Sequence, residues 1–232
     1  MNKKLAIILI GPPGCGKGTQ GELLAEKFNL FYFETSKIIE KNVMNARSGE
    51  CVVIGGKEYS LENERGLWKS GILCTPIVVS YWVRKKFEEL SKEGKNLIIA
   101  GSPRTLLEGR EVMPLLRKLY GKENIKIVEV GLSPEQTIWR NQRRRICELM
   151  RHPILSTKDE FLKLTHCPLD GSKLLKRKGL DDPETIITRI KEYKERTYPL
   201  IKYFKEEGFS VKKVKGEQTV EKVFSDILKA IK

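Results

Sequence analysis

The chain has 232 residues, 40% apolar and 32% charged, which suits one large globular domain or a core with inserts. No apolar run approaches the roughly 20 residues that span a bilayer. The net charge of +14, from 44 basic against 30 acidic residues, favours anionic ligands. Nucleic acid is not expected, because the lysines are spread along helical faces and no RNA- or DNA-binding motif interleaves them with aromatics.

The first apolar run, residues 5–10, follows Asn2-Lys3-Lys4 and imitates a signal peptide. It is shorter than the roughly 7–15 residues of a secretory segment, and it reads as a buried strand of a cytoplasmic protein. It enters Gly11-Pro12-Pro13-Gly14-Cys15-Gly16-Lys17-Gly18-Thr19-Gln20, and a helical pattern follows at 21–28. Strand, glycine-rich turn, lysine and helix form a phosphate-binding loop. Glycines let backbone N–H groups surround phosphate oxygens, the helix N-terminus adds positive charge, and Lys17 can reach the terminal phosphates. The strict motif has Ser or Thr directly after the lysine; here Gly18 intervenes before Thr19.

Residues 30–33 predict a second strand, 37–45 a helix, 51–57 a small hairpin and 62–70 a helix closed by Gly71. Thr75-Pro76 opens a helix through Ser91 as N-cap and N1, with Val78, Val79, Trp82, Val83, Phe87 and Leu90 on its inner face. Strands follow at 96–100 and 125–130, with a helix at 106–120 between them. Ser133-Pro134-Glu135-Gln136 caps a helix expected to reach about 147 and to carry Arg140, Arg143, Arg144 and Arg145. Residues 148–180 lack helical or strand periodicity. Asp182-Pro183-Glu184 opens a helix expected to run to about 207 with a bend near Pro199, before a strand at 209–214 and a helix at 219–231.

This alternation implies an α/β fold: a five-stranded parallel sheet covered on both faces, with ligands at the carboxyl ends of its strands. Two segments outside the alternation, about 36–72 and 148–180, follow ligand-side loops and read as inserts over the site. Five cysteines in a chain this long are no disulfide framework, and Cys15 is read as a tolerated small residue rather than a nucleophile.

Taken together, Gly11 to Gln20, Gly101-Ser102-Pro103-Arg104-Thr105, Lys69-Ser70-Gly71-Ile72-Leu73, the later arginines and Gly216-Glu217-Gln218-Thr219-Val220 resemble the adenylate kinase family, long-lid bacterial type, along the whole chain. In that family Gly then Thr follow the lysine. The resemblance implies a P-loop core (1–34, 74–146 and 181–232), a monophosphate-binding insert (35–73) and a lid (147–180). It implies transfer of the γ-phosphoryl of ATP to a nucleoside monophosphate, usually AMP, by a monomer that uses Mg2+ with ATP. ATP is then expected at Gly14, Cys15, Gly16, Lys17, Gly18, Thr19, Arg140, Arg144 and Gln218. The monophosphate is expected at Thr35, Leu73, Gly101, Arg104, Glu108, Arg177 and Arg189. Lys17, Arg104, Arg140, Arg144, Arg177 and Arg189 are the expected catalytic set. Guanidinium forks pair bidentately with phosphate oxygens. For any one of these arginines a solvated surface is the plainer account, and only their places in matching segments reverse it.

Long-lid members bind zinc through Cys-x2-Cys and a distant Cys-x2-Cys or Cys-x2-Asp. Here Cys147, Cys167 and Asp170 match three of those positions, and the second is Met150. His152 is the candidate substitute for a structural Zn2+, with His166 as a competitor and an emptied, polar and apolar cluster as the alternative.

Four residues depart from the family's pattern. Ala100 and Lys37 stand where carboxylates hold the Mg2+ shell, Glu40 where an acceptor-phosphate arginine stands, and Glu108 where a glutamine reads adenine. Arg47 or Lys37 is a candidate to compensate for the lost arginine, and an ionised Glu108 would favour a donor-rich base edge such as guanine. Three readings follow: an adenylate kinase, a member with another acceptor or low activity, or a nucleotide-binding regulatory protein.

Overall fold

A computed structural model describes residues 4–155, 159–177 and 181–232. Strand β1 (Ala6–Ile10) is buried along its whole length and leads through the glycine loop into α1 (Lys17–Phe28). Then come β2 (Phe31–Glu34), α2 (Thr35–Met44), the hairpin β3 (Cys51–Ile54) and β4 (Lys57–Ser60), and α3 (Leu61–Ser70). Gly71 closes α3 in the left-handed region at φ 82°, as its sequence position predicts. Next are α4 (Pro76–Lys92), β5 (Leu97–Ala100), α5 (Leu106–Tyr120), β6 (Ile125–Gly131) and α6 (Pro134–Arg143). The rest comprises β7 (Arg144–Cys147), β8 (Pro153–Leu155), α7 (Asp159–Leu162), β9 (Leu174–Leu175), α8 (Pro183–Glu192), α9 (Leu200–Glu206), β10 (Val211–Lys215) and α10 (Val220–Ala230).

The main sheet is parallel, in the order β10-β6-β1-β5-β2. Alternation along β1 divides the core. Ala6, Ile8 and Ile10 pack with Val83, Phe87, Leu116 and Phe204 of α4, α5 and α9. Ile7 and Leu9 pack on the other face with Leu24, Val223 and Ile227 of α1 and α10. Both faces are therefore dry, as the near-continuous apolar strands require. Among the described residues, no helix is long and apolar enough to cross a membrane.

The structure corrects several expectations. The helix expected to reach about 147 ends at Arg143, because Arg144 to Cys147 exchange helical bonds for antiparallel ladders with β8 and β9. Residues 148–180 are consequently not aperiodic: with β7 they carry a three-stranded sheet whose strands are too short for periodicity to register. Residues 156–158 and 178–180 of the expected lid lie outside the described residues. The helix expected over 182–207 is interrupted by a π-helical turn at Tyr193–Thr197, where Tyr198 N–H donates to the Tyr193 carbonyl at 2.8 Å. Pro199 has no N–H to continue an ordinary ladder there. Thr75 makes no side-chain cap for α4; its own N–H donates to the buried Glu64 carboxylate at 2.8 Å.

Candidate active site

The glycine loop sits at the carboxyl edge of the sheet. Gly14 and Gly16 have φ of 79° and 98°, which side chains resist, and a Cβ at Gly14 would lie 2.5 Å from Asn141 Nδ2. Gly16 caps α1 without a side-chain bond, so the first turn of the helix keeps N–H groups for an anion. Lys17 Nζ donates to the carbonyls of Gly11 and Pro12 at 2.7 and 2.9 Å and lies 3.4 Å from the buried Cys15 thiol. Burial lowers its pKa, and Arg104 and Arg189 lower it further against the opposing effect of Cys15. Gly18 and Thr19 continue the first turn of α1.

Gly101 (φ 91°) follows β5, and a Cβ there would lie 2.6 Å from the Arg104 guanidinium. Thr105 caps α5 by accepting Glu108 N–H at 3.2 Å, and Glu108 Oε2 accepts Arg104 N–H at 2.8 Å. Thr35, fully buried, lies across the β2–β5 pair with its hydroxyl 3.5 Å from the Ala100 carbonyl. Leu73 N–H donates to Glu192 Oε2 at 2.9 Å.

The third wall is cationic. Arg140 reaches from α6 to the Gly216 carbonyl at 2.9 Å, tying α6 to the loop after β10. Gln218 in that loop donates to Lys215 and Asp226. Arg144 and Arg177 both bind Asp181, at 2.5 and 2.9 Å, and Arg144 also reaches Asn141. Arg189 is partly buried; desolvation, joined by Arg177, Arg144 and Arg104, pushes its guanidinium down to about 9. Lys17, Arg104, Arg144, Arg177 and Arg189 thus share one field in which Asp181 is the carboxylate that pairs with two of the arginines. Such crowding is costly without anions and favourable with them.

On the metal side, Lys37 is paired with Glu34 at 3.3 Å and lies over the Tyr32 ring, while Glu40 and Arg47 are exposed. Ala100 offers no side-chain oxygen. Neither Ala100 nor Lys37 therefore supplies a carboxylate for Mg2+.

Cys147, His152, Cys167 and Asp170 have ligand atoms all within 4.8 Å of one another. Cys147 Sγ lies 2.9 Å from Asp170 Oδ2 and Cys167 Sγ 3.3 Å from His152 Nε2. Two turns converge these groups: Arg151 N–H donates to the Cys147 carbonyl, and Gly171 N–H to that of Cys167. Met150 is two-thirds exposed, and His166 is paired with Thr165 outside the cluster. The donor set fits tetrahedral zinc.

Sequence reasoning missed Glu192 and Arg196, which are bonded to each other at 2.8 Å while Glu192 also holds Leu73. Their i, i+4 spacing was visible; their target 119 residues away was not.

A family model described as adenylate kinase matches residues 9–209. An adenylate kinase of Methanothrix thermoacetophila is 27% identical, with 97% of each chain covered. One of Clostridioides difficile is 30% identical, with 98% of each covered. One of Mycoplasma mycoides is 31% identical, with 95% of this chain and 96% of the relative covered.

Proposed function

The chain belongs to the adenylate kinase family, and on that premise we propose that its cationic cleft transfers the γ-phosphoryl of ATP to AMP, forming two ADP. The observation that carries this reading is the field of Lys17, Arg104, Arg144, Arg177 and Arg189, with Asp181 paired to two of its arginines. The acceptor nucleophile is already an ionised phosphate oxygen, so no protein base has to remove a proton. What the reaction asks is that two polyanions be brought in line and their charge dispersed.

In this proposal the amides of residues 14–19 and Lys17 cradle the donor phosphates, with Gln218 also on the donor side. Arg104 clamps the acceptor phosphate, helped by Arg177 and Arg189, while Thr35, Leu73, Gly101 and Glu108 line the acceptor. Arg140, Arg144, Arg177 and Arg189 disperse charge on the transferring group. Residues 35–73 form the acceptor insert, 147–180 the lid, and the remainder the core. Closure of the inserts excludes water, which would otherwise accept the phosphoryl group.

Magnesium, which adenylate kinases generally use with ATP, neutralises phosphate charge. Ala100 and Lys37 provide no carboxylate for it here, so no step is assigned to a protein-bound ion. Zinc in Cys147, His152, Cys167 and Asp170 would crosslink the two turns of the lid and serve structure alone. A coupled assay of ADP formation from ATP with each monophosphate tests the reading.

A further inference from the structure

Glu108 is a buried acid in the acceptor wall, 1% exposed, for which phosphoryl transfer has no direct use. Oε2 accepts the Arg104 N–H at 2.8 Å, and Oε1 lies 3.4 Å from Thr105 Oγ1, which itself accepts the Glu108 N–H. This is a capping box whose glutamate reaches one residue beyond the cap. It fixes the backbone at Arg104, while the guanidinium of the same residue lies against Gly101, where no Cβ interferes.

We propose that Glu108 is a positioning residue for Arg104, and that removing the negative charge from Glu108 selectively weakens binding of the acceptor phosphate. The proposal rests on the assignment of Arg104 to that phosphate. An ionised carboxylate accepts the Arg104 N–H more strongly than a neutral acid or amide does. Burial pushes the Glu108 carboxyl up to about 7, against the opposing influence of the Arg104 N–H and guanidinium, Thr105 and Arg196. The charged groups facing it are Arg104 on its own loop and Arg196 on the π-helical turn. Ionisation of Glu108 therefore changes across the neutral range. The hold on Arg104 is firm above that range and relaxes as pH falls through it.

The test is calorimetric titration of the full chain with ribose 5-phosphate, which carries the phosphate without the base, and, separately, with ATP, from pH 5.5 to 8.5, for the unmodified protein and Glu108→Gln. A base-free probe is needed because a glutamine at this position would itself read adenine. Turnover of the unmodified protein with AMP is measured in parallel. The amide keeps the shape and cannot titrate, and comparing the two proteins cancels the ionisation of the phosphate itself. At high pH Glu108→Gln should bind ribose 5-phosphate about fivefold more weakly. The difference should vanish toward pH 5.5, with ATP binding alike in both. Parallel ribose 5-phosphate profiles, or an equal loss for ATP, would overturn the positioning role while leaving the turnover reading standing. Absence of ribose 5-phosphate binding at every pH would overturn the positioning role, and absence of turnover as well would overturn both.

Discussion

Glu192 Oε2 accepts the backbone N–H of Leu73 at 2.9 Å, joining the end of α8 to the strand of chain that leaves the proposed acceptor insert. The same oxygen holds Arg196 at 2.8 Å. Two turns of helix upstream, a Cβ at Gly71 would meet Thr185 and Arg189. The exit from the insert is therefore pinned to the helix that carries Arg189. Glu192→Ala should destabilise the fold by about 2 kcal/mol and raise the AMP KM more than the ATP KM. Denaturant unfolding and initial-rate kinetics measure the two effects; equal changes in both KM values would contradict the assignment.

Asp181 holds Arg144 and Arg177 together. Burial raises its pKa, but the two arginines outweigh that, and its carboxyl lies below the usual range. Its contribution to stability is thus present above the unfolded value of about 4 and lost as pH falls through the lower folded value. Asp181→Asn should cost about 3 kcal/mol at pH 7, since it leaves two partly buried cations unpaired. Saturating ATP should recover part of the loss in melting temperature. A variant as stable as the parent, with no extra gain from ATP, would remove Asp181 from the account.

Glu108 makes a prediction of opposite sign for stability. With its carboxyl raised from 4.5 to about 7, the folded chain holds a proton there that the unfolded chain has lost. Stability therefore falls as pH rises from about 4.5 through 7. Glu108→Gln lacks this cost and should gain up to about 3 kcal/mol relative to the parent at pH 8, and little at pH 5. Melting curves at the two pH values measure it. Greater stability with weaker acceptor binding would separate positioning from simple structural support.

Ala100 ends β5 in register with Leu9 and Glu34, beside the phosphate loop. Ala100→Asp should tighten binding of ATP with Mg2+ relative to ATP alone by about tenfold, the scale of one added charged ligand. Calorimetry with and without the cation measures the ratio. An unchanged ratio would mean that the missing carboxylate is not what limits metal engagement.

The purified protein should carry one zinc per chain in this cluster, lost in Cys167→Ser and retained in His152→Cys. Elemental analysis reads the stoichiometry, and chelation should lower the melting temperature only of the proteins that hold metal. A zinc content that survives Cys167→Ser would place the metal elsewhere.

What the sequence made legible was local or periodic. The loop at residues 11–19, α5 to the residue, and the Ser133 cap, which accepts the Gln136 N–H, all depend on neighbours within a few positions. The cationic set was legible only through matching segments, because each arginine alone looks like surface. The family resemblance implies the four zinc-ligand candidates with His152 out of place, and the turns that bring it in depend on ladders of two to four residues. Glu192 escaped because its partner is a backbone N–H far along the chain. Arg144 to Cys147 escaped because an arginine-rich continuation of α6 is sound by propensity, and the competing strands lie outside any helical window.

Phosphoryl transfer through this cleft is tested by a coupled assay of ATP with AMP, GMP, CMP and UMP in turn. The account predicts sustained ADP formation with AMP as the preferred acceptor, reduced at least a hundredfold in Arg104→Ala, on the order of the loss of a transition-state charge contact. Tight ATP binding without turnover for any of the four acceptors would contradict it.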